Sequence, residues 1–100
     1  MKRRSEAHFV EVTPAGDNVY RVVGDLDIDT SDSFVETITA ALGTDDGPIR
    51  LDMSGVGFID SGGLRALLTL YMATDRLRVA AYSKPLSRLI ELTGLDDIIY

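Results

Sequence analysis

Ile49-Arg-Leu-Asp-Met-Ser-Gly-Val-Gly-Phe-Ile-Asp-Ser-Gly-Gly-Leu64 carries a strand pattern that runs straight into a helix start. Ile49, Leu51 and Met53 alternate with polar residues at the two-residue period of a strand, and Val56, Phe58 and Ile59 stay apolar up to Asp60. Beyond the turn, Leu64, Leu67, Leu68 and Tyr71 recur at helical spacing, which predicts a helix over residues 62–75. A strand feeding a helix through a tight turn is half of a β-α-β unit, so the flanking sequence should repeat the alternation.

It does. Towards the C-terminus, residues 77–81 read as a strand and 84–92 as a helix with Leu86, Leu89, Ile90 and Thr93 aligned, ended by Gly94. Ile98-Ile-Tyr100 is expected to form a short last strand. Towards the N-terminus, residues 8–13 and 19–23 alternate as two strands around the turn residues 14–18, which makes a hairpin. Residues 24–30 are then a loop, and Phe34, Ile38, Ala41 and Leu42 predict a helix over 31–42, stopped by the Gly43–Pro48 segment. Thr30 or Asp29 is the expected cap, with Asp32 suited to the positive end of the helix dipole. The order β-β-α-β-α-β-α-β predicts an α/β fold: one domain with a mixed, mostly parallel sheet of four or five strands. An N-terminal hairpin opens it and the helices come from right-handed β-α crossovers. Residues 1–6 are expected to be a flexible N-terminus and residues 7–100 the domain.

Composition narrows the function classes. With 45% apolar residues among 100, a core can form, and the absence of cysteine excludes disulfides, thiolate zinc sites and cysteine nucleophiles. The charge of −6 is unevenly placed: Asp25, Asp27, Asp29, Asp32, Glu36, Asp45, Asp46, Asp52 and Asp60 face only Arg50 between residues 25 and 60. Such a surface repels phosphate backbones, so no nucleic-acid partner is expected, and Lys2-Arg3-Arg4 reads as a solvated terminus. The longest mostly apolar stretch, Leu64 to Ala73, is about half of what crosses a bilayer, and no signal-peptide core precedes it. A cytoplasmic protein without membrane insertion is expected.

Two motifs suggest chemistry that the rest of the chain does not support. Asp25, Asp27 and Asp29, with Ser33 and Glu36, match the ligand spacing of a calcium loop, the remote alternative here. Thr30 stands where that loop needs glycine, Asp32 stands where an apolar residue belongs, and a strand pattern precedes the loop in place of a helix. Asp60-Ser-Gly-Gly63 resembles the nucleophile segment of trypsin-like proteases, but His8 is the only histidine and lies in a terminal strand. Neither an enzyme nor a cofactor is implied. What remains is the turn itself. Gly62 and Gly63 in a first helical turn each cost about 1 kcal/mol relative to alanine. That cost points to backbone approached closely at a helix N-terminus, with Ser61 as the expected cap.

Gly24-Asp-Leu-Asp27 followed by Thr30, then Ile49–Leu64, then Ser83-Lys-Pro85, Leu89 and Leu92-Thr-Gly-Leu95, together resemble the STAS family of anti-sigma factor antagonists. The resemblance runs in order through nearly the whole chain. It implies a non-enzymatic bacterial partner-switching protein that binds an anti-sigma factor, usually a serine-protein kinase, and so regulates sigma-factor-dependent transcription. It implies a partner-binding set of Asp25, Asp27, Asp60, Ser61, Gly62, Gly63, Leu64 and Arg65. It also implies a phosphoacceptor in the turn, at the second residue after the aspartate. Here that residue is Gly62, which has no hydroxyl, and Ser61, occupied as a cap, is expected to accept phosphate poorly. The alternative inside the family is the STAS subunit of a lipid-trafficking ABC transporter, which binds its ATPase and needs no phosphorylation. The family's further terminal helix does not fit before Tyr100, so either the chain is trimmed or this is a minimal version with exposed apolar surface around Ile98 and Ile99 and weak self-association. On the second helix, Ala66, Leu70, Met72 and Ala73 add apolar area that a partner could use.

Overall fold

The computed structural model describes residues 9–44 and 47–99. Its elements are β1 (Val10–Gly16), β2 (Val19–Leu26), α1 (Ser31–Thr44), β3 (Ile49–Ile59), α2 (Ser61–Ala73), β4 (Leu77–Tyr82), α3 (Lys84–Thr93) and the short α4 (Asp96–Ile99). One sheet of four strands runs in the order β1-β2-β3-β4, antiparallel for the first pair and parallel for the other two. This is the mixed α/β sheet that the alternation of periods predicts.

The N-terminal hairpin is tighter than the sequence suggests. Both strands extend into the expected turn until Gly16 pairs with Val19 across Asp17 and Asn18. Pro14 lies within β1 without breaking the sheet because β1 is an edge strand. At its other end β2 continues through Leu26, so three of the expected loop residues, Gly24, Asp25 and Leu26, are strand.

β3 owes its length to irregular register. Ile49, Leu51 and Met53 are buried at period two, and then the phase slips to Val56 and Ile59. The pairing with β2 slips as well, from Arg21↔Asp52 to Val23↔Gly55 and from Gly24↔Val56 to Asp25↔Phe58. Each slip places an extra β3 residue opposite β2, which returns an apolar side chain to the core face. β4 pairs only as far as Tyr82 opposite Met53, and α3 packs against β3.

The core lies on one face of the sheet. Val22, Leu26, Phe34, Ile38, Ile49, Leu51, Met53, Val56, Leu67, Leu86 and Ile90 are all fully buried. On the opposite face of the sheet Arg21 and Asp52 pair at 3.6 Å. Fully burying a large aliphatic or aromatic side chain contributes about 1.5–3 kcal/mol, so this single layer dominates stability.

Several expectations are corrected. α1 runs two residues past Leu42, through Gly43 to Thr44, and α2 stops at Ala73 because Thr74 turns extended. The expected last strand is instead α4, and Tyr100 lies outside the described residues. Ile99 is only 4% exposed, and its carbonyl accepts hydrogen bonds from the Tyr71 and Tyr82 hydroxyls, each at 3.3 Å. The side chain expected to be exposed at Ile99 is therefore buried; the Ile98 side chain lies outside the described residues. On α2, Ala66 and Leu70 are buried, whereas Met72 and Ala73 are exposed. Residues 1–6, His8, and Asp45 and Asp46 of the acidic run also lie outside the described residues.

Candidate functional site

The parallel strands β2 and β3 end side by side, and the turn that opens α2 sits on that edge. Leu26 pairs with Ile59 as the last rung between them, and the Asp60 N–H donates to the Leu26 carbonyl at 3.4 Å. Asp60 is extended and caps α2: its Oδ1 accepts from the Gly63 N–H at 3.0 Å, and its carbonyl accepts from the Leu64 N–H at 3.0 Å. The cap expected at Ser61 is thus one residue earlier. An aspartate at the end of a strand already has the extended backbone that a cap needs, and its carboxylate reaches the third helical N–H. Ser61 is the first helical residue, and its side chain is exposed.

The two glycines have different causes. A Cβ on Gly63 would collide with the Leu26 carbonyl oxygen and stand 2.7 Å from the Leu26 carbonyl carbon, both backbone atoms. Only glycine lets α2 start this close to the end of β2. A Cβ on Gly62 would instead meet Ile28, at 3.0 Å from its Cβ and 3.1 Å from its Cα.

Ile28 is held there by the loop between β2 and α1. The Asp25 N–H donates to the Phe9 carbonyl at 2.7 Å, fixing the end of β2, from which the loop leaves, to the chain before β1. Asp27 Oδ1 accepts from the Asp29 and Thr30 N–H groups at 2.9 and 3.1 Å. The Thr30 hydroxyl accepts from the Asp27 N–H at 3.0 Å and donates to the Asp25 carbonyl at 2.8 Å. Thr30 thus faces back into the loop, against the expectation that it caps α1. The loop is tied to itself, and its tip presents Ile28 at 69% exposure.

This geometry sorts the eight residues that the sequence picked out. Asp60, Ser61, Gly62 and Arg65 are exposed or half-buried on one rim. Asp25 and Asp27 are 1% and 0% exposed, and Gly63 and Leu64 are buried as well. Those four lie beneath the rim and shape it from inside, while Asp60, Ser61, Gly62 and Arg65 form its surface. The acidic run is acidic partly because Asp27 has backbone N–H groups to satisfy. The calcium reading fails on the same facts: strand β2 occupies the place of the entering helix, and Asp27 Oδ1 is engaged with backbone.

Sequence reasoning missed Ile28. Its signal was an apolar residue between two aspartates, Asp27 and Asp29, with no strand left to bury it. Beside it, a groove of about 400 Å³ between α1 and α2 is lined by Asp32 and Glu36 on one wall and by Gly62 and Arg65 on the other. The rim therefore offers one large apolar contact, one cation and flanking carboxylates around a helix N-terminus. No group of three potential metal ligands comes together among the described residues, and no helix there is long and apolar enough to cross a membrane.

Comparison with known proteins agrees with the fold. The chain is 28% identical to the anti-sigma factor antagonist from Mycobacterium paratuberculosis, over 90% of this chain and 80% of that one, with a TM-score of 0.72. The anti-sigma factor antagonist SpoIIAA in its unphosphorylated form shares the fold at 15% identity and a TM-score of 0.67, over 91% of this chain and 85% of that one. So does part of the murine anion transporter Slc26a9, at 24% identity and a TM-score of 0.66, where 84% of this chain covers 15% of that one. A family model described as "Mlab, STAS domain" matches residues 11–100, from β1 onward. With that match spanning both the sheet and the capped turn, the chain belongs to the STAS domain family.

Proposed function

We propose that this chain is an anti-sigma factor antagonist, a non-catalytic partner-switching protein that binds an anti-sigma factor of the serine-kinase type and so regulates sigma-factor-dependent transcription. The observation that carries the reading is the 28% identity over 90% of the chain to a solved antagonist. The rim described above supports it, because Ser61 and Arg65 are exposed beside Ile28 at the start of α2. In this reading Ile28 supplies a desolvated apolar contact and Arg65 a charge-assisted one, while the buried Asp25 and Asp27 hold the loop in its binding shape.

The test is to recover the native partner from the source cell, identify it, and titrate the purified pair calorimetrically. Ile28→Asp and Arg65→Glu should each weaken binding at least about tenfold, or ~1.4 kcal/mol, because both act at the rim. A recovered anti-sigma factor that binds both variants with wild-type affinity overturns the assigned face; recovery of an unrelated class of protein overturns the function.

Gly62 favours a second reading. Without a hydroxyl at the usual acceptor position, the chain suits the STAS subunit of a lipid-trafficking ABC transporter, which would bind its ATPase without phosphorylation. Co-purification with a transporter ATPase in place of a kinase decides for it.

A further inference from the structure

We propose that this chain pairs with a second copy of itself through the edge where β2 and β3 end, the Ile28 loop of each copy seating in a groove of the other. The groove, of about 430 Å³, lies between the end of β3 and α3. Its apolar lining is Ile59, Pro85, Leu89 and Leu92, and Lys84 and Arg88 flank it one helical turn apart. Leu92 is 76% exposed, so the apolar strip continues onto open surface. In a chain of net charge −6, an apolar groove flanked by two cations selects an occupant that is apolar at its tip and acidic at its sides.

The Ile28 loop has that chemistry. Ile28 is exposed at its tip, and Asp29 and Asp32 are exposed beside it. The hydrogen bonds among Asp25, Asp27 and Thr30 fix the loop's shape in advance, which lowers the entropic cost of docking. Both halves lie on one edge of the molecule: Ile28 rests against Gly62, and the groove's Ile59 stands three residues before it. Exchange of the two loops between the two grooves is an isologous contact, which closes at the dimer. A contact limited to one loop and one groove on each copy gives a weak dimer. The dimer also occupies Ile28, the apolar contact assigned above to the partner. Self-association and partner binding then exclude one another, a consequence that rests on the proposed function, whereas the dimer itself does not.

Sedimentation of the full chain from about 10 µM to about 1 mM reads the equilibrium directly. Wild type should pass from monomer to dimer within that range. Ile28→Asp should shift the midpoint at least tenfold upward or abolish it, with circular dichroism confirming the fold. Two charge-swapped chains give the decisive arm: Lys84→Glu/Arg88→Glu, and Asp29→Lys/Asp32→Lys. Each alone should be monomeric, because its loop and groove then carry the same sign. Mixed, they should dimerise, since each loop again meets a groove of opposite sign. A wild-type chain that stays monomeric throughout overturns the proposal and leaves the groove to another acidic, apolar partner. Dimers that persist in every variant, or swapped chains that fail to associate on mixing, overturn it equally.

Discussion

Ile28 lies so close to Gly62 that a Cβ on residue 62 would stand 3.0 Å from the Ile28 Cβ, and 3.2 Å from the Asp60 carboxylate. The position that the family resemblance assigns to a phosphoacceptor is here both without a hydroxyl and roofed by an apolar side chain. Because the roof is an exposed loop tip, it can shift by a few tenths of an ångström. Gly62→Ala should gain up to ~1 kcal/mol of helix propensity and lose a similar amount to crowding, for a net change within ~1 kcal/mol. In an Ile28→Gly background, which removes the crowding Cβ itself, the same substitution should become more favourable by roughly 0.5–1 kcal/mol. Urea unfolding of the four chains measures this coupling, and strict additivity would mean that the two residues do not feel each other.

Gly63 offers no such give. Its neighbour is the Leu26 backbone at the end of a paired strand, so an added methyl group must push α2 off the sheet. Gly63→Ala should lose more than ~2 kcal/mol although alanine is the better helix former. A variant as stable as wild type would show that α2 can start further from β2.

The cap separates Asp60 from Ser61. Asp60→Ala removes the acceptor for the Gly63 N–H and should cost about 1 kcal/mol, most of which Asp60→Asn retains. Ser61→Ala should stay within about 0.5 kcal/mol, as for other exposed sites. If instead Ser61→Ala proves the costlier change, the cap is misassigned.

Much of the fold could be read from period alone, because α2, β4 and α3 each keep one clear periodicity and β3 keeps its own as far as Met53. The failures occurred where tertiary contacts outvote local pattern. Ile98-Ile-Tyr100 has strand propensity, yet Asp96–Ile99 is a helical turn whose last carbonyl is held by Tyr71 and Tyr82. The site was half legible. The Gly62–Gly63 pair announced a close approach, but no sequence rule says that Leu26 crowds one glycine and Ile28 the other. Nor could the sequence tell that Asp25 and Asp27 point inward, since acidic residues are ordinarily exposed.

Asp52, on the open face of the sheet, should show a pH signature. The Ser54 hydroxyl, at 2.6 Å, holds its carboxyl below the ordinary value of 3.8, helped by the Ser54 N–H and by Arg21. A depressed carboxyl stabilises the fold above the unfolded-state pKa and loses that contribution as pH falls through the folded value. Ser54→Ala should raise the Asp52 midpoint toward 3.8 and reduce the loss of stability on acidification, read by NMR titration of the carboxyl carbon. An unchanged midpoint would place the cause elsewhere.

The acceptor question belongs to the same turn. Phosphoryl transfer depends on holding the hydroxyl in line with the γ-phosphate, and small misplacements cost about a hundredfold in rate. A kinase that acts on the second residue after Asp60 finds no hydroxyl at Gly62, and Ser61 presents its own from a different direction. Under the proposed function, wild type incubated with a kinase recovered as its partner and ATP should therefore take up little phosphate by mass spectrometry. Gly62→Ser should take up phosphate, but slowly, because the Ile28 Cβ crowds the new side chain; Ile28→Gly/Gly62→Ser should be faster. One result would reverse the reading: stoichiometric phosphate on wild type, lost in Ser61→Ala. Ser61 is exposed and not needed as the cap, so the turn would then have moved its switch one residue towards Asp60, onto the first residue of α2. A phosphate there would gain from the helix N-terminus and from Arg65 one turn on, while repelling any acidic partner surface at the rim.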